Sequence, residues 1–318
     1  GTIHRFARVC FPLLFCRITQ KPPGSRYARL STMRIRSFAK INLGLEVCGL
    51  RPDGYHNIRT LFQSVALHDS LTLTESANPE IHLRGSDRRI SWNEDNLIYK
   101  AAALLKRQTG RGRGVSIFVE KNIPPGGGLG GGSSNAAAVL WALNRMWSLN
   151  LSLGRLQELG RRLGSDVPFF LSGGLCLGSR RGDRIRELPE LEKLTCLLIY
   201  ENFSIATVDI YNHQRMTLTS QGKESKIIKF LKNRKVQGLY NDLEKAVFDL
   251  YPRVEDHKER LLDSGADLAL VSGSGSTVFG LFPDRKAAEK ARRKLDAPTQ
   301  MTQTLSRREY IKKRLIEN

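Results

Sequence analysis

The sequence has no CxxC cysteine pair and few cysteines of any kind. Its five, Cys10, Cys16, Cys48, Cys176 and Cys196, are odd in number and far apart. That spacing argues against a disulfide framework and against a structural zinc site, and it fits a reducing compartment. None of the six histidines falls in an HExxH pattern, so no zinc-hydrolase signature is present. No stretch approaches the roughly 20 apolar residues a membrane-spanning helix needs. The longest apolar piece near the start, Val9–Phe15, is too short, and no membrane partner is expected. Acid is also scarce: 31 Asp and Glu face 51 Lys and Arg, a net charge of +20. Excess base of this size attracts polyanions. The basic residues are scattered, however, as in Arg161-Arg162, Arg180-Arg181, Arg292–Lys294 and Lys312–Arg314, without interleaved aromatics. The reading is a solvated surface and an attraction for a phosphorylated small molecule, with no nucleic-acid partner.

What is present looks globular. Hydrophobic residues make up 40% of 318, a length that suits two domains. Residues 1–33 stand apart: they are Arg-rich, and the first acidic residue of the chain is Glu46. Pro22-Pro23-Gly24 breaks any helix there. Two readings stay open for this extension. It is a transit-type targeting segment, which would imply organellar import, or an upstream stretch ahead of a natural start at Met33, with a cytoplasmic bacterial protein following. The second is favoured, because recognisable patterning starts right after Met33. In either case the segment is expected to be poorly ordered and outside the fold.

The rest alternates strands and helices. Ile35–Val47 reads as a strand with a small-residue break at Ser37–Lys40, and Arg51–Gly54 as a tight turn. Asp69–Thr74 alternates like a half-buried strand. Asp95–Gln108 has helical spacing behind an Asp or Asn cap. Gly110–Gly114 is a loop and Val115–Glu120 a strand. Helices follow at about Ser133–Trp147 and Ser152–Leu163. After a composition shift near Gly173–Asp183 come strands at Leu194–Tyr200, Leu268–Val271 and Val278–Phe282, helices across Asp242–Asp263 and Asp284–Leu295, and a polar excursion at Asn212–Glu224. This order predicts an α+β fold in two domains, 34–178 and 179–318.

The feature richest in chemistry is Pro124–Ala137, PPGGGLGGGSSNAA. Glycines permit positive φ and let backbone N–H groups approach a ligand. Set before a helix, they expose its free N–H groups and positive dipole end to an anion. Gly126–Gly132 lead into Ser133-Ser134-Asn135, all good N-cap types, and the serine hydroxyls are within reach of a phosphate or a magnesium ion. The competing reading is a flexible linker, although a linker is seldom bracketed by a strand and a capped helix. A Walker loop is excluded because Gly132 stands where its lysine belongs. A dinucleotide fingerprint fits Gly126, Gly128 and Gly131 only formally, since the next acid is Glu158. HRD and DFG segments of protein kinases are absent.

The glycine run instead resembles the second motif of the GHMP kinases. Four further groups of residues extend the resemblance from about Arg34 to the C-terminus: Phe38–His56 (FAKINLGLEVCGLRPDGYH), Gly164–Gly174 (GSDVPFFLSGG), Ser272–Phe282 (SGSGSTVFGLF), and the short segments Asp95–Ile98 and Asn241–Glu244. Ala39–Leu43 and Asp53–His56 narrow it to the branch acting on a cytidine diphosphate ester of a methylated tetritol. The resemblance implies a two-domain fold with the active site in the interdomain cleft. It also implies ATP-dependent phosphorylation of the tetritol 2-hydroxyl, a step in the non-mevalonate route to isoprenoid precursors. A mevalonate or homoserine kinase of the same family, and a basic RNA-binding protein, are the alternatives.

The resemblance also assigns roles. Asp166 is the general base, against an ordinary turn or cap aspartate. Lys40 points into the cleft and stabilises the moving phosphoryl group, against a solvent-facing strand lysine. Pro124, Pro125, Gly126, Gly127, Gly128, Leu129, Gly130, Gly131, Gly132, Ser133 and Ser134 hold the ATP phosphates, and Gly273 and Gly275 form a second loop over them. Tyr55 and His56 serve the cytosine, with Tyr211 as a second aromatic in a sandwich. Asn42 shares the Lys40 face of the strand, and Phe62 closes the pocket or packs in the core. Mg²⁺ is expected on Ser133 or Ser134 and the ATP phosphates, with no carboxylate cage of its own. A monomer or homodimer is expected.

Overall fold

The computed structural model describes residues 31–110, 113–214 and 225–316. Most of the N-terminal extension, part of the Gly110–Gly114 loop and most of the polar excursion lie outside the described residues.

The first half runs β1 (Thr32–Leu50), β2 (His56–Ser76), β3 (Ile81–Gly85), α1 (Leu97–Thr109), β4 (Gly114–Glu120), α2 (Gly131–Met146), α3 (Leu153–Arg161), α4 (Val167–Ser172), β5 (Leu175–Arg180) and β6 (Arg184–Glu187). The second runs β7 (Thr195–Ile199), α5 (Thr207–Gln214), α6 (Lys226–Asn233), α7 (Glu244–Leu250), α8 (Pro252–Asp263), β8 (Leu268–Val271), β9 (Val278–Phe282), α9 (Arg285–Arg292), β10 (Thr299–Gln303) and α10 (Arg307–Arg314). Among the described residues these build two sheets. One has the order β3-β4-β2-β5-β6, with β1 also paired to β2; the other has the order β10-β7-β9-β8. Helices α1, α2 and α4 pack on the first sheet and α3 packs on these helices, giving the α+β architecture.

Local chemistry sets the element ends where side chains supply it. Asn96 caps α1 by accepting from the Ile98 N–H at 3.0 Å, and Gly110 closes the helix in the left-handed region at φ 59°. Three expectations change in the folded chain. β1 begins at Thr32, so Thr32 and Met33, set aside with the extension, are strand residues paired with Thr74 and Leu73. The boundary placed at 178 falls inside β5, and β6 pairs with β5 in the first sheet, so that sheet ends only at Glu187. The chain end also returns to the first half: the Tyr310 hydroxyl and the Arg314 guanidinium of α10 donate to the Phe170 carbonyl at 2.6 and 2.9 Å.

β1 joins the two halves. Ile35 belongs to the core between the first sheet and its helices, and Leu45 and Val47 to the core of the second half. Ala39, Ile41 and Leu43 pack with Leu198, Leu270 and Phe279 between them. Each fully buried aliphatic side chain contributes roughly 1.5–3 kcal/mol, so the two halves share one continuous apolar junction. The predicted small-residue break is a shift of register rather than a gap. Phe38 pairs with His68, but Lys40 already pairs with Ser64. At this irregularity the Lys40 N–H leaves the strand ladder and donates to the Leu129 carbonyl of the glycine run at 3.1 Å.

Candidate active site

A cavity of about 960 Å³ opens between the halves. β1 supplies Lys40, Asn42 and Leu45 to its floor. Lys40 and Asn42 share a face because they are two apart on a strand. A second register shift, between Asn42 and Gly44, reverses the alternation, so Leu45 faces the cavity next. From β2, His56, Ile58 and Phe62 line the cavity, again at every second residue apart from Thr60. The Thr60 hydroxyl lies beneath Asn42, accepting from its Nδ2 at 2.8 Å and donating to the Gly44 carbonyl.

The cavity brings together the two residues proposed for the chemistry. Lys40 Nζ lies 3.7 Å from Asp166 Oδ2, donates to Asn42 Oδ1, and sits 5.7 Å from the centroid of the Phe62 ring. The Lys40 side chain is 4% exposed and that of Asp166 is 29% exposed. Burial pushes the Lys40 ammonium below its ordinary pKa, and the Asp166 carboxylate opposes that shift. Asp166 occupies the N-cap position of α4 but makes no side-chain cap hydrogen bond, which leaves its carboxylate directed at Lys40. A proline disfavours a helical residue before it, yet α4 starts at Val167 with Pro168 in its first turn, where the missing N–H costs nothing.

The glycine run forms the opposite wall, and it is built differently from the sequence expectation. α2 starts at Gly131 behind Gly130, which has φ 71° and no side chain to cap the helix. The serines are therefore first-turn residues, not caps. Ser133 lines the cavity. Ser134 does not: its hydroxyl is buried, accepts from Ser37 and donates to the Phe38 carbonyl at 2.6 Å. Of the remaining run, Gly128 and Gly130 reach the cavity wall. The others support it. Leu129 is fully buried, the Gly127 carbonyl accepts from Thr277 N–H at 3.2 Å, and the Gly128 carbonyl accepts from the Ser272 hydroxyl at 3.0 Å. Pro124, Pro125 and Gly126 in the loop, and Gly131 and Gly132 at the start of α2, do not line the cavity. Buried Asp69 anchors the loop from below. It accepts from the Asn122 and Ile123 N–H groups at 2.7 and 2.8 Å, from Asn135 at 2.9 Å, and from Lys121. The product is a helix N-terminus with no side-chain cap hydrogen bond, a geometry that suits an anion.

Gly273 and Ser274 complete this end, while Gly275 lies behind the wall. Their loop is held by Asn241, whose side chain donates to the Val271 and Gly273 carbonyls at 2.9 and 2.7 Å. The two glycine loops touch so closely that a Cβ on Gly128, already at φ 76°, would collide with the Ser272 carbonyl. Gly128→Ala is expected to cost about 1–3 kcal/mol in stability and to weaken ATP binding about tenfold or more. Urea melts and nucleotide titration check both effects, and an unchanged nucleotide affinity would mean this contact does not shape the site.

At the far end the aromatics meet in an unexpected pairing. His56 stacks on Tyr211, with centroids 5.1 Å apart and planes at 22°. Tyr55 is not opposite Tyr211 but lies 59% exposed in the turn before β2, with the Arg181 guanidinium 4.8 Å above its ring. Burial raises the Tyr211 phenol pKa, with the Asp166 and Asp242 charges adding, so the hydroxyl stays protonated. Phe62 is 1% exposed and packs on Phe169 at 4.9 Å, a core residue that also touches the cavity. Sequence reading missed Arg161, Arg162 and Arg181 as cavity residues. Each was noted only as part of a scattered basic pair.

This geometry has relatives. Residues 96–174 match the family described as GHMP kinases N terminal domain, and residues 227–299 match GHMP kinases C terminal. A protein named 4-diphosphocytidyl-2-C-methyl-D-erythritol kinase from Thermodesulfovibrio yellowstonii is 42% identical over 265 residues, covering 80% of this chain and 92% of the relative. The chain belongs to the GHMP kinase family. A second relative with the same name, from Alkaliphilus metalliredigens, is 35% identical over 289 residues, covering 88% of this chain and 99% of the relative. A solved 4-(cytidine 5'-diphospho)-2C-methyl-D-erythritol kinase superposes with a TM-score of 0.72 at 32% identity, covering 86% of this chain and 99% of that one. A homoserine kinase from Cytophaga hutchinsonii, at 21% identity and TM-score 0.63, shares the GHMP fold. No helix among the described residues is long and apolar enough to cross a membrane.

Proposed function

We propose that this GHMP kinase transfers the γ-phosphoryl group of ATP to the 2-hydroxyl of 4-diphosphocytidyl-2-C-methyl-D-erythritol. The observation that carries this reading is the Lys40–Asp166 pair, 3.7 Å apart in a cavity between an uncapped helix N-terminus and an aromatic end. Phosphoryl transfer asks the protein for positioning and charge stabilisation above all. The N–H groups at the start of α2, with Gly128 and Gly130 allowing close approach, hold the ATP phosphates. Asp166 takes the proton of the acceptor hydroxyl, and buried Lys40 offsets the charge that develops on the moving group. Asn42, fixed by Thr60, orients the acceptor beside Lys40. Tyr55, His56 and Tyr211 receive the pyrimidine by stacking and by hydrogen bonding to its edge.

Among the described residues, no group of three or more His, Cys, Asp or Glu side chains could hold a metal ion. Of the oxygens that line the cavity, the Ser133 hydroxyl stands in the first turn of α2. One such hard oxygen suits Mg²⁺, which binds through few protein oxygens and takes the rest of its shell from phosphate and water. Bound there, the ion would neutralise charge on the nucleotide phosphates.

A coupled ADP-release assay tests the proposal, with the cytidyl acceptor run beside mevalonate and homoserine. Turnover is expected with the cytidyl acceptor alone. Turnover on mevalonate or homoserine instead would reassign the substrate within the family. No ADP from any of the three, together with tight, salt-sensitive RNA binding, would replace the kinase reading with a nucleic-acid one.

A further inference from the structure

Between β5 and β6 the chain reverses through Arg181–Asp183. The Gly182 N–H donates to the Ser179 carbonyl at 3.0 Å, and Arg180 and Gly182 take positive φ of 61° and 87°. This turn is pressed against β2. A Cβ on Gly178 would stand 2.6 Å from the Phe62 ring, and one on Gly182 3.3 Å from Ile58. Phe62 and Ile58 both line the cavity. The tight fit fixes where the half-buried Arg181 side chain emerges: on the cavity wall, with its guanidinium carbon 4.8 Å from the Tyr55 ring centroid.

Tyr55 comes from a second turn, at the tip of the β1–β2 hairpin. The Arg51 N–H donates to the Tyr55 carbonyl at 2.7 Å, and the Arg51 guanidinium grips Asp53 at 2.9 Å. The Asp53 carboxyl is held below its ordinary pKa, first by the hydrogen bonds from Arg51, with the Arg181 charge contributing. Arg181 therefore links the two turns, facing the ring of Tyr55 and the charge of Asp53. An exposed tyrosine ring samples several rotamers, and ordering it on ligand binding costs entropy. A planar, weakly hydrated guanidinium stacked on the ring reduces that cost beforehand, which a compact lysine ammonium does poorly. Arg181 also adds positive charge to a cavity that already holds Lys40, Arg161 and Arg162 against Asp53 and Asp166.

We infer that Arg181 is a positioning and specificity residue for the acceptor: it holds Tyr55 ready for the pyrimidine and answers the charge of the attached diphosphate, and it takes no part in binding ATP. This rests on the acceptor reading above, and the test separates the two.

The full chain is titrated calorimetrically with cytidine 5′-diphosphate and, separately, with a non-hydrolysable ATP analogue. Arg181→Ala is expected to weaken cytidine diphosphate binding about tenfold and to change analogue binding less than twofold. Arg181→Lys, which keeps the charge and loses the planar stack, recovers only part of the affinity. In a Tyr55→Leu background the loss caused by Arg181→Ala shrinks, because the stacked partner is gone. In the ADP-release assay the acceptor KM rises about tenfold while kcat at saturation falls less than about threefold. An unchanged cytidine diphosphate affinity in Arg181→Ala overturns the inference. So does an equal loss for both ligands, which marks a general structural role, and so does full recovery with lysine, which removes the stacking argument. A wild-type chain that binds cytidine diphosphate but turns over no acceptor ends the kinase reading alone, and the variants' affinities still decide the role of Arg181. A wild-type chain that does not bind cytidine diphosphate ends both.

Discussion

Asp166→Asn is expected to lower kcat by about 10²–10⁴-fold and to leave the affinity for a non-hydrolysable ATP analogue within about twofold. Asparagine keeps the shape of the side chain and loses the ability to accept the hydroxyl proton. It also removes the negative charge 3.7 Å from Lys40 Nζ. The fold should tolerate the change, because α4 is not held by this side chain. Asp166 makes no cap hydrogen bond, while Tyr310 and Arg314 hold the Phe170 carbonyl from outside. Single-turnover ADP release against a nucleotide titration separates chemistry from binding. A variant with near-normal kcat would remove Asp166 from the role of base.

Lys40→Met should separate activity from stability in opposite directions. Removing a preorganised positive charge from the site is expected to cost about 10²–10³-fold in kcat. The same change should raise Tm by a few degrees at neutral pH, because a buried ammonium is replaced by a side chain that prefers burial, while the partly exposed Asp166 can hydrate. The sign follows from proton binding. Burial lowers the Lys40 pKa from the ordinary 10.5, so the folded chain holds this proton less tightly than the unfolded chain does. Between the lowered folded value and 10.5 the unfolded state binds more protons, and this residue's contribution to stability rises with pH. Below that window its cost is fully present. Thermal melts of wild type and variant from pH 7 to 10 should therefore show a Tm gap that narrows as pH rises. A variant less stable than wild type at pH 7 would show that Lys40 contributes more through its bonds to Asn42 and Asp166 than its burial costs.

Much of the site was legible because its signals are local. Glycines before a helical run announce a helix start through backbone geometry that neighbours cannot easily override. Lys40 and Asn42 share a face because strand alternation places them there. The cap at Asn96 and the stop at Gly110 are likewise chemistry within one turn of chain. The helix start behind the glycine run was misplaced for a related reason. Serine and asparagine are good caps, but here Ser134 and Asn135 find better partners in Ser37, Phe38 and Asp69, which are distant in sequence.

By itself, then, the sequence determined the α+β class, the glycine run that leads into a helix, the missing Walker lysine and the identity of the chemical groups. The tertiary structure decided which of them meet. Lys40 and Asp166 come together because β1 and α4 pack on either side of the glycine loop, and α4 is placed by the returning C-terminal helix. Leu45 faces the cavity because a register shift reverses the strand alternation. Arg181 lies over Tyr55 because two hairpin turns converge, the one pressed on Ile58 and Phe62 and the other gripped by Arg51. Such contacts depend on long-range packing and register, which a pattern read along one chain segment does not encode.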